Sequence, residues 1–139
     1  MLMFPNPYMK AAVRTHDRGR RSGSALAGRW RNRLGSTMSI EVDDHHRIRG
    51  TFHTGAEIGD PTAGYEIVGF AEGDDFAFCV DFGRSGSVAS WTGHHVSGEE
   101  HGERLVTVWH LAQPVDDPHS EIDTWRAILT GGDEFHRTD

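Results

Sequence analysis

From Gly28 onward the chain changes polarity at every second residue, in short runs cut apart by clusters of Gly, Asp, Pro and Ser, and no long window carries a helical 3.6-residue period. Side chains of an extended strand alternate between faces, so a period of two repeated in run after run commits the chain to sheet with one buried and one solvated face. The pattern predicts strands near 28–34, 36–42, 47–54, 64–72, 75–82, 86–96, 103–112 and 122–131, broken at "DDHH", "GAEIGDPTAG", "EGDD", "GRSG", "SGEEHG" and "QPVDDPHSE". Most of these connections suit hairpins, which makes sequence neighbours antiparallel partners. About eight such strands close into a barrel without free edges. The expected fold is all-β, an eight-stranded antiparallel up-and-down β-barrel.

A length of 139 residues suits one such barrel and no second core. The expected organisation is a disordered basic leader over residues 1–27 and a barrel over 28–136. In the leader Lys10, Arg14, Arg18, Arg20 and Arg21 oppose Asp17, a net +4, which leaves −11 on residues 28–139 to reach the overall −7. An acidic body repels phosphate backbones, so no nucleic-acid partner is expected. No window approaches the ~18 consecutive apolar residues of a membrane span, so no membrane partner is expected either. Pro5, Asn6, Pro7 and Lys10 interrupt the opening before an apolar signal-peptide core forms. The lone Cys79, flanked by Phe78 and Val80, is expected to be an inert packing residue.

The stretch "GRWRNRLGST" raises the functional question. Alternation puts Arg29, Arg31 and Arg33 on the solvent face and Trp30, Asn32, Leu34 and Ser36 on the inner one. A buried amide or hydroxyl without partners costs roughly 1–3 kcal/mol, so Asn32 and Ser36 imply either an internal polar network or a ligand that completes one. The inner faces of the later strands offer Met38, Ile40 and Val42, then Ile48, Gly50, Phe52 and Thr54, then Tyr65, Ile67 and Gly69. Phe78, Val80 and Phe82 follow, then Ser87, Ala89, Trp91 and Gly93, then Leu105, Thr107, Trp109 and Leu111, and finally Leu129, Gly131, Asp133 and Phe135. Aromatic walls with a few placed polar groups are the usual composition of a small-molecule site, and the mouth of a small barrel is a common place for one.

The motifs "GRWRNRLGST", "GTF", "SWTGHH", "TVWHLA" and "WRAILTGGDEF", in this order and spacing over Gly28 to about Phe135, resemble the avidin and streptavidin family of biotin-binding barrels. That resemblance implies non-catalytic biotin binding in the lumen, with biotin as ligand and no cofactor or metal. It implies that Asn32, Ser36 and the position of Phe52 surround the ureido carbonyl, and that Thr54 and Asp133 accept from the ureido N–H groups. Phe52 stands where the family has Tyr, and so lacks a donor. Phe82, Trp91, Trp109, Leu111 and, from a neighbouring subunit, Trp125 would enclose the ring and tail, with Phe82 replacing a Trp. Ala89 replaces a Thr near the sulfur, and Ser87 is retained near the carboxylate end. The loop "HTGAEIGDPTAG" would close over the ligand, and its Glu57 and Asp60 would disfavour the free acid relative to a neutral amide. Relatives are usually secreted.

Three rival readings bear on the same residues. A lipocalin-like carrier of another small apolar ligand is the alternative, since a Gly-x-Trp opening suits it too, but a lumen with several bulky aromatics and an inward Asp133 favours a small planar polar ligand over an acyl chain. Ten histidines suggest metal, yet His94 and His95 point to opposite faces, and His45 and His46 lie in a turn. No Ser-His-Asp order is visible, and His95 is the best inward histidine, so no enzyme activity is expected. Apolar residues on outer faces, Val68, Phe70, Val106 and Val108, predict burial between subunits, and Trp125 at the start of the last strand favours a homotetramer, with a dimer as the alternative.

Overall fold

The computed structural model of the protein describes residues 25–55, 64–83, 86–98, 100 and 102–138. Eight strands, β1 (Gly28–Asn32), β2 (Thr37–Val42), β3 (Arg47–His53), β4 (Tyr65–Glu72), β5 (Asp75–Asp81), β6 (Val88–Gly98), β7 (Gly102–Ala112) and β8 (Ile128–Arg137), follow one another around a closed antiparallel barrel. One short helix, α1 (Glu121–Arg126), precedes β8. The register keeps inner residues together: Met38 lies opposite Phe52, Phe78 opposite Trp91, Trp91 opposite Trp109, and Thr107 opposite Asp133.

The barrel is plugged at one end. Trp30, Ile40, Ile48, Ile67, Leu105 and Phe135 are buried there together with Leu26, only 2% exposed, from the segment expected to be leader. Trp30 Nε1 donates to the Leu26 carbonyl at 2.9 Å, and the Arg137 guanidinium lies over the Trp30 ring at 4.3 Å. Arg137 also donates to the Ala25 and Ala27 carbonyls, so the chain before β1 is tied across the barrel floor. Among inner positions Gly93 is required by close approach, because a side chain there would strike the Val106 carbonyl of β7.

Four expectations are corrected. β1 ends at Asn32, and residues 33–36 form a turn with Gly35 at φ 84°, so Leu34 is not an inner residue but is 82% exposed. The strand expected over 122–131 is in its first half α1, and β8 begins at Ile128 and runs to Arg137. Ser120 caps α1 by accepting from the Asp123 N–H at 3.2 Å, with Glu121 and Asp123 in the first turn and Arg126 in the last, as the helix dipole favours. That Ser-x-x-acid spacing was the signal available in "SEID". Trp125 therefore stands on a helix rather than at a strand start. Cys79 is exposed, because Phe78 and Val80 take the inner face and alternation turns the residue between them outward.

Candidate functional site

The inner polar and aromatic side chains of the barrel beyond Trp30 form a group called the cup here. Its polar side is built where β1 turns into β2 and meets β8. Asn32 Nδ2 donates to Asp133 Oδ2 at 2.9 Å, while Asn32 Oδ1 accepts the Ser36 N–H at 2.8 Å. The 33–36 turn is closed by backbone bonds between Asn32 and Ser36 and between Gly35 and Asn32, so the amide and hydroxyl reach the lumen without belonging to one strand. Ser36 Oγ accepts the Gly55 N–H at 3.0 Å, which ties the turn to the chain leaving β3. Thr107 Oγ1 donates to the Asp133 carbonyl at 2.8 Å and holds β8 against β7 at this level. Asn32, Ser36 and Thr107 are buried, and the Asp133 carboxylate is half-buried.

The other walls are aromatic. Phe52 lies 5.2 Å from Trp91 and 5.9 Å from Phe82, edge-on to the latter. Trp91 stacks on Phe78 at 5.2 Å, and Tyr65 meets Phe82 at 5.1 Å. Trp91 Nε1 is buried with no hydrogen-bond partner among the described residues, an open donor inside an otherwise satisfied site. Trp109 and Leu111 on β7 are partly buried against this cluster, and Gly131 on β8 leaves room for the Trp109 ring, since a Cβ there would meet Cζ2 at 2.5 Å.

Of the residues singled out in the sequence, Asn32, Ser36, Phe52, Phe82, Ala89, Trp91, Trp109, Leu111 and Asp133 line or border this cup, with Thr54 and Ser87 half-buried at strand ends beside it. Trp125 does not join them: it is 62% exposed on α1. Glu57 and Asp60, with most of the loop that carries them, lie outside the described residues. Tyr65, Phe78 and Thr107 were absent from the candidate set although their inner phase was legible. Only the ring contacts and the Thr107–Asp133 bond assign them to the cup.

A second polar cluster sits at the plugged end. His95 Nε2 contacts Glu103 Oε1 at 2.8 Å, and Arg137 binds both Glu103 oxygens at 2.6 and 2.9 Å. The Arg137 hydrogen bonds, followed by that of His95, hold the Glu103 carboxyl down to about 2. His94 instead faces outward to Asp75 at 2.7 Å, so the adjacent histidines share no ion. Among the described residues no three metal-ligating side chains converge.

A closed up-and-down barrel whose inner face sets aromatic rings beside an amide, a hydroxyl and a carboxylate is an architecture that small-ligand-binding barrels share. Residues 21–138 match the model of the Avidin family, and the chain belongs to that family. It is 30% identical over 120 residues to Avidin-related protein 1 of Gallus gallus, spanning 81% of this chain and 77% of that one. Among solved structures, Xenavidin superposes with a TM-score of 0.68 at 30% identity, covering 85% of this chain and 100% of its own. A rhizavidin–biotin complex superposes with a TM-score of 0.66 at 26% identity, covering 81% and 99%.

Proposed function

We propose that this protein binds biotin in the open cup without performing chemistry on it. The single observation that carries the reading is the chain Asp133–Asn32–Ser36, a carboxylate, an amide and a hydroxyl held in register inside a wall of aromatic rings. A cyclic urea presents one acceptor flanked by two donors on a planar apolar body, and this set matches it. Ser36 Oγ, with the Asn32 amide beside it, donates toward the ureido oxygen. Asp133 and Thr54 accept from the two N–H groups, and the carboxylate polarises the urea. Membership of the avidin family, and the biotin bound in the rhizavidin structure, support the same ligand.

Apolar contact comes from Phe52, Phe82, Trp91, Trp109 and Leu111 around the bicycle and the proximal tail. Besides the smaller ring of Phe82, two departures from the family pattern each remove a hydroxyl. Phe52 supplies a ring but no hydroxyl to the ureido oxygen, and Ala89 supplies no hydroxyl near the sulfur. Ser87 remains to meet the carboxylate end.

Biotin titration followed by Trp fluorescence tests the reading. Quenching or a blue shift that saturates at one biotin per chain is expected, and no response at micromolar biotin overturns it. Fatty-acid and retinoid probes run in parallel are expected to be inert. A response to them in place of biotin selects the lipocalin-like carrier.

The assembly reading is a homotetramer. Phe70, 63% exposed, with Val68 and Val108 gives the outer wall apolar ground that a monomer does not need, and exposed Trp125 on α1 is free to cap a neighbour's cup. Trp125→Ala is expected to loosen biotin and to shift the assembly toward dimers, read by light scattering. A wild-type monomer with and without biotin refutes the assembly. Export from the cell is proposed from the same family membership.

A further inference from the structure

From Gly28 onward the chain holds one tyrosine, Tyr65, and the grip on the urea does not use it. It opens β4, half-buried, in the same inner phase as the buried Ile67. A phenol is apolar along its ring and polar at its tip, so a Tyr that faces a lumen brings in a hydroxyl that needs a partner. The Tyr65 ring is packed, but its Oη finds no hydrogen-bond partner among the described residues.

Strand pairing sets Tyr65 directly opposite Phe52, the ring that lacks a hydroxyl. The two side chains nevertheless part company. Phe52 and Phe82 meet at 5.9 Å although β4 runs between their strands, so the Tyr65 ring does not stand between them. Tyr65 packs on Phe82 instead, 5.1 Å away and inclined by 64°. The Phe82 N–H donates to the Ser87 carbonyl at 3.0 Å, which brings half-buried Ser87 to the same ring from the chain entering β6. Two hydroxyl-bearing residues thus flank Phe82. In the closed order of strands, β4 and β5 stand across the barrel from β8 and β1, which carry Asp133 and Asn32.

We infer that Tyr65 recognises the far end of the bound molecule, an inference that rests on the biotin reading above. With the urea fixed on the Asp133–Asn32 side, the other end of the molecule turns toward the facing wall. There Tyr65 Oη donates to the acceptor oxygen that ends the tail, a carboxylate or an amide carbonyl, with Ser87 beside it. The urea is the less suitable partner, because Tyr65 packs away from Phe52, the ring that borders it. A neutral hydroxyl takes either kind of acceptor, so the free acid and an amide conjugate both satisfy it. A tail that ends in a methyl group leaves it unpaired, and the site selects against such a molecule.

Tyr65→Phe deletes the hydroxyl and keeps the ring on Phe82. Trp-fluorescence titrations with two probes test the role: biotin, and the same bicyclic urea with its tail cut back to a methyl group. The variant is expected to bind biotin about 3- to 12-fold more weakly than the parent does, and to bind the truncated probe within about twofold of the parent. Its melting temperature without ligand is expected to match that of the parent, because the hydroxyl makes no bond in the unliganded barrel. Equal biotin affinity in parent and variant overturns the role of Tyr65 while leaving the biotin reading intact. An equal loss for both probes places the hydroxyl at the urea and overturns the assignment to the tail. A parent protein that binds no biotin overturns the biotin reading and this inference with it.

Discussion

Removing the Asp133 carboxylate tests the proposed site at its most charged contact. In the unliganded barrel Asp133 accepts from Asn32 Nδ2 at 2.9 Å, so Asp133→Ala both deletes an acceptor for the ureido N–H and frees the Asn32 amide to turn. A hydrogen bond to a charged group contributes about 1.5–3 kcal/mol, which corresponds to a biotin affinity lower by about 10- to 150-fold. The loss is expected in the dissociation rate, because association into an open cup depends little on one contact. Losing the Asn32 bond should cost about 1 kcal/mol of stability, or roughly 3–6 °C in melting temperature. Asp133→Asn, which keeps the shape and one acceptor oxygen, should fall between the two proteins. Release of labelled biotin chased by excess unlabelled biotin measures the rate. If both variants fold and release biotin within about twofold of the parent rate, Asp133 does not hold the urea.

Phe52→Tyr returns a donor to the ureido oxygen and is expected to tighten biotin by about 0.5–1.5 kcal/mol, or about 2- to 12-fold, with equal or weaker binding by the folded variant as the contrary result. Gly131→Ala places a Cβ 2.5 Å from Trp109 Cζ2, so the ring must swing. A stability loss of about 1–3 kcal/mol, with biotin binding weakened about tenfold or more, is expected in denaturant melts and titrations. Glu103 is held down to about 2 by Arg137 and then His95. A carboxyl depressed in the folded state stabilises above its unfolded value near 4.5 and loses that contribution as pH falls toward 2. Glu103→Gln should therefore flatten the fall in melting temperature between about pH 4.5 and 2. It should cost only about 0.5–1 kcal/mol at neutral pH, because the side chain is 36% exposed and its ion pair is screened.

The sequence by itself determined the sheet, the strand count, the closure and most of the inner face, because alternation is a local property of an extended backbone and each run carries its own phase. It placed Asn32, Phe52, Trp91, Trp109 and Asp133 inside for that reason alone. Extrapolating the phase failed where the backbone leaves the strand: Leu34 should have been inner by parity, yet the 33–36 turn sends it to solvent while Asn32 Oδ1 draws Ser36 back in. The same error made a strand of residues 122–126, where a six-residue helix is too short to display a helical period and only the Ser120 cap marked the turn of helix. Tertiary structure alone decided which inner residues meet. The Asn32–Asp133 bond spans a separation of 101 residues and the Arg137–Ala25 tie 112, and no local pattern encodes a contact that exists only because the eighth strand closes on the first.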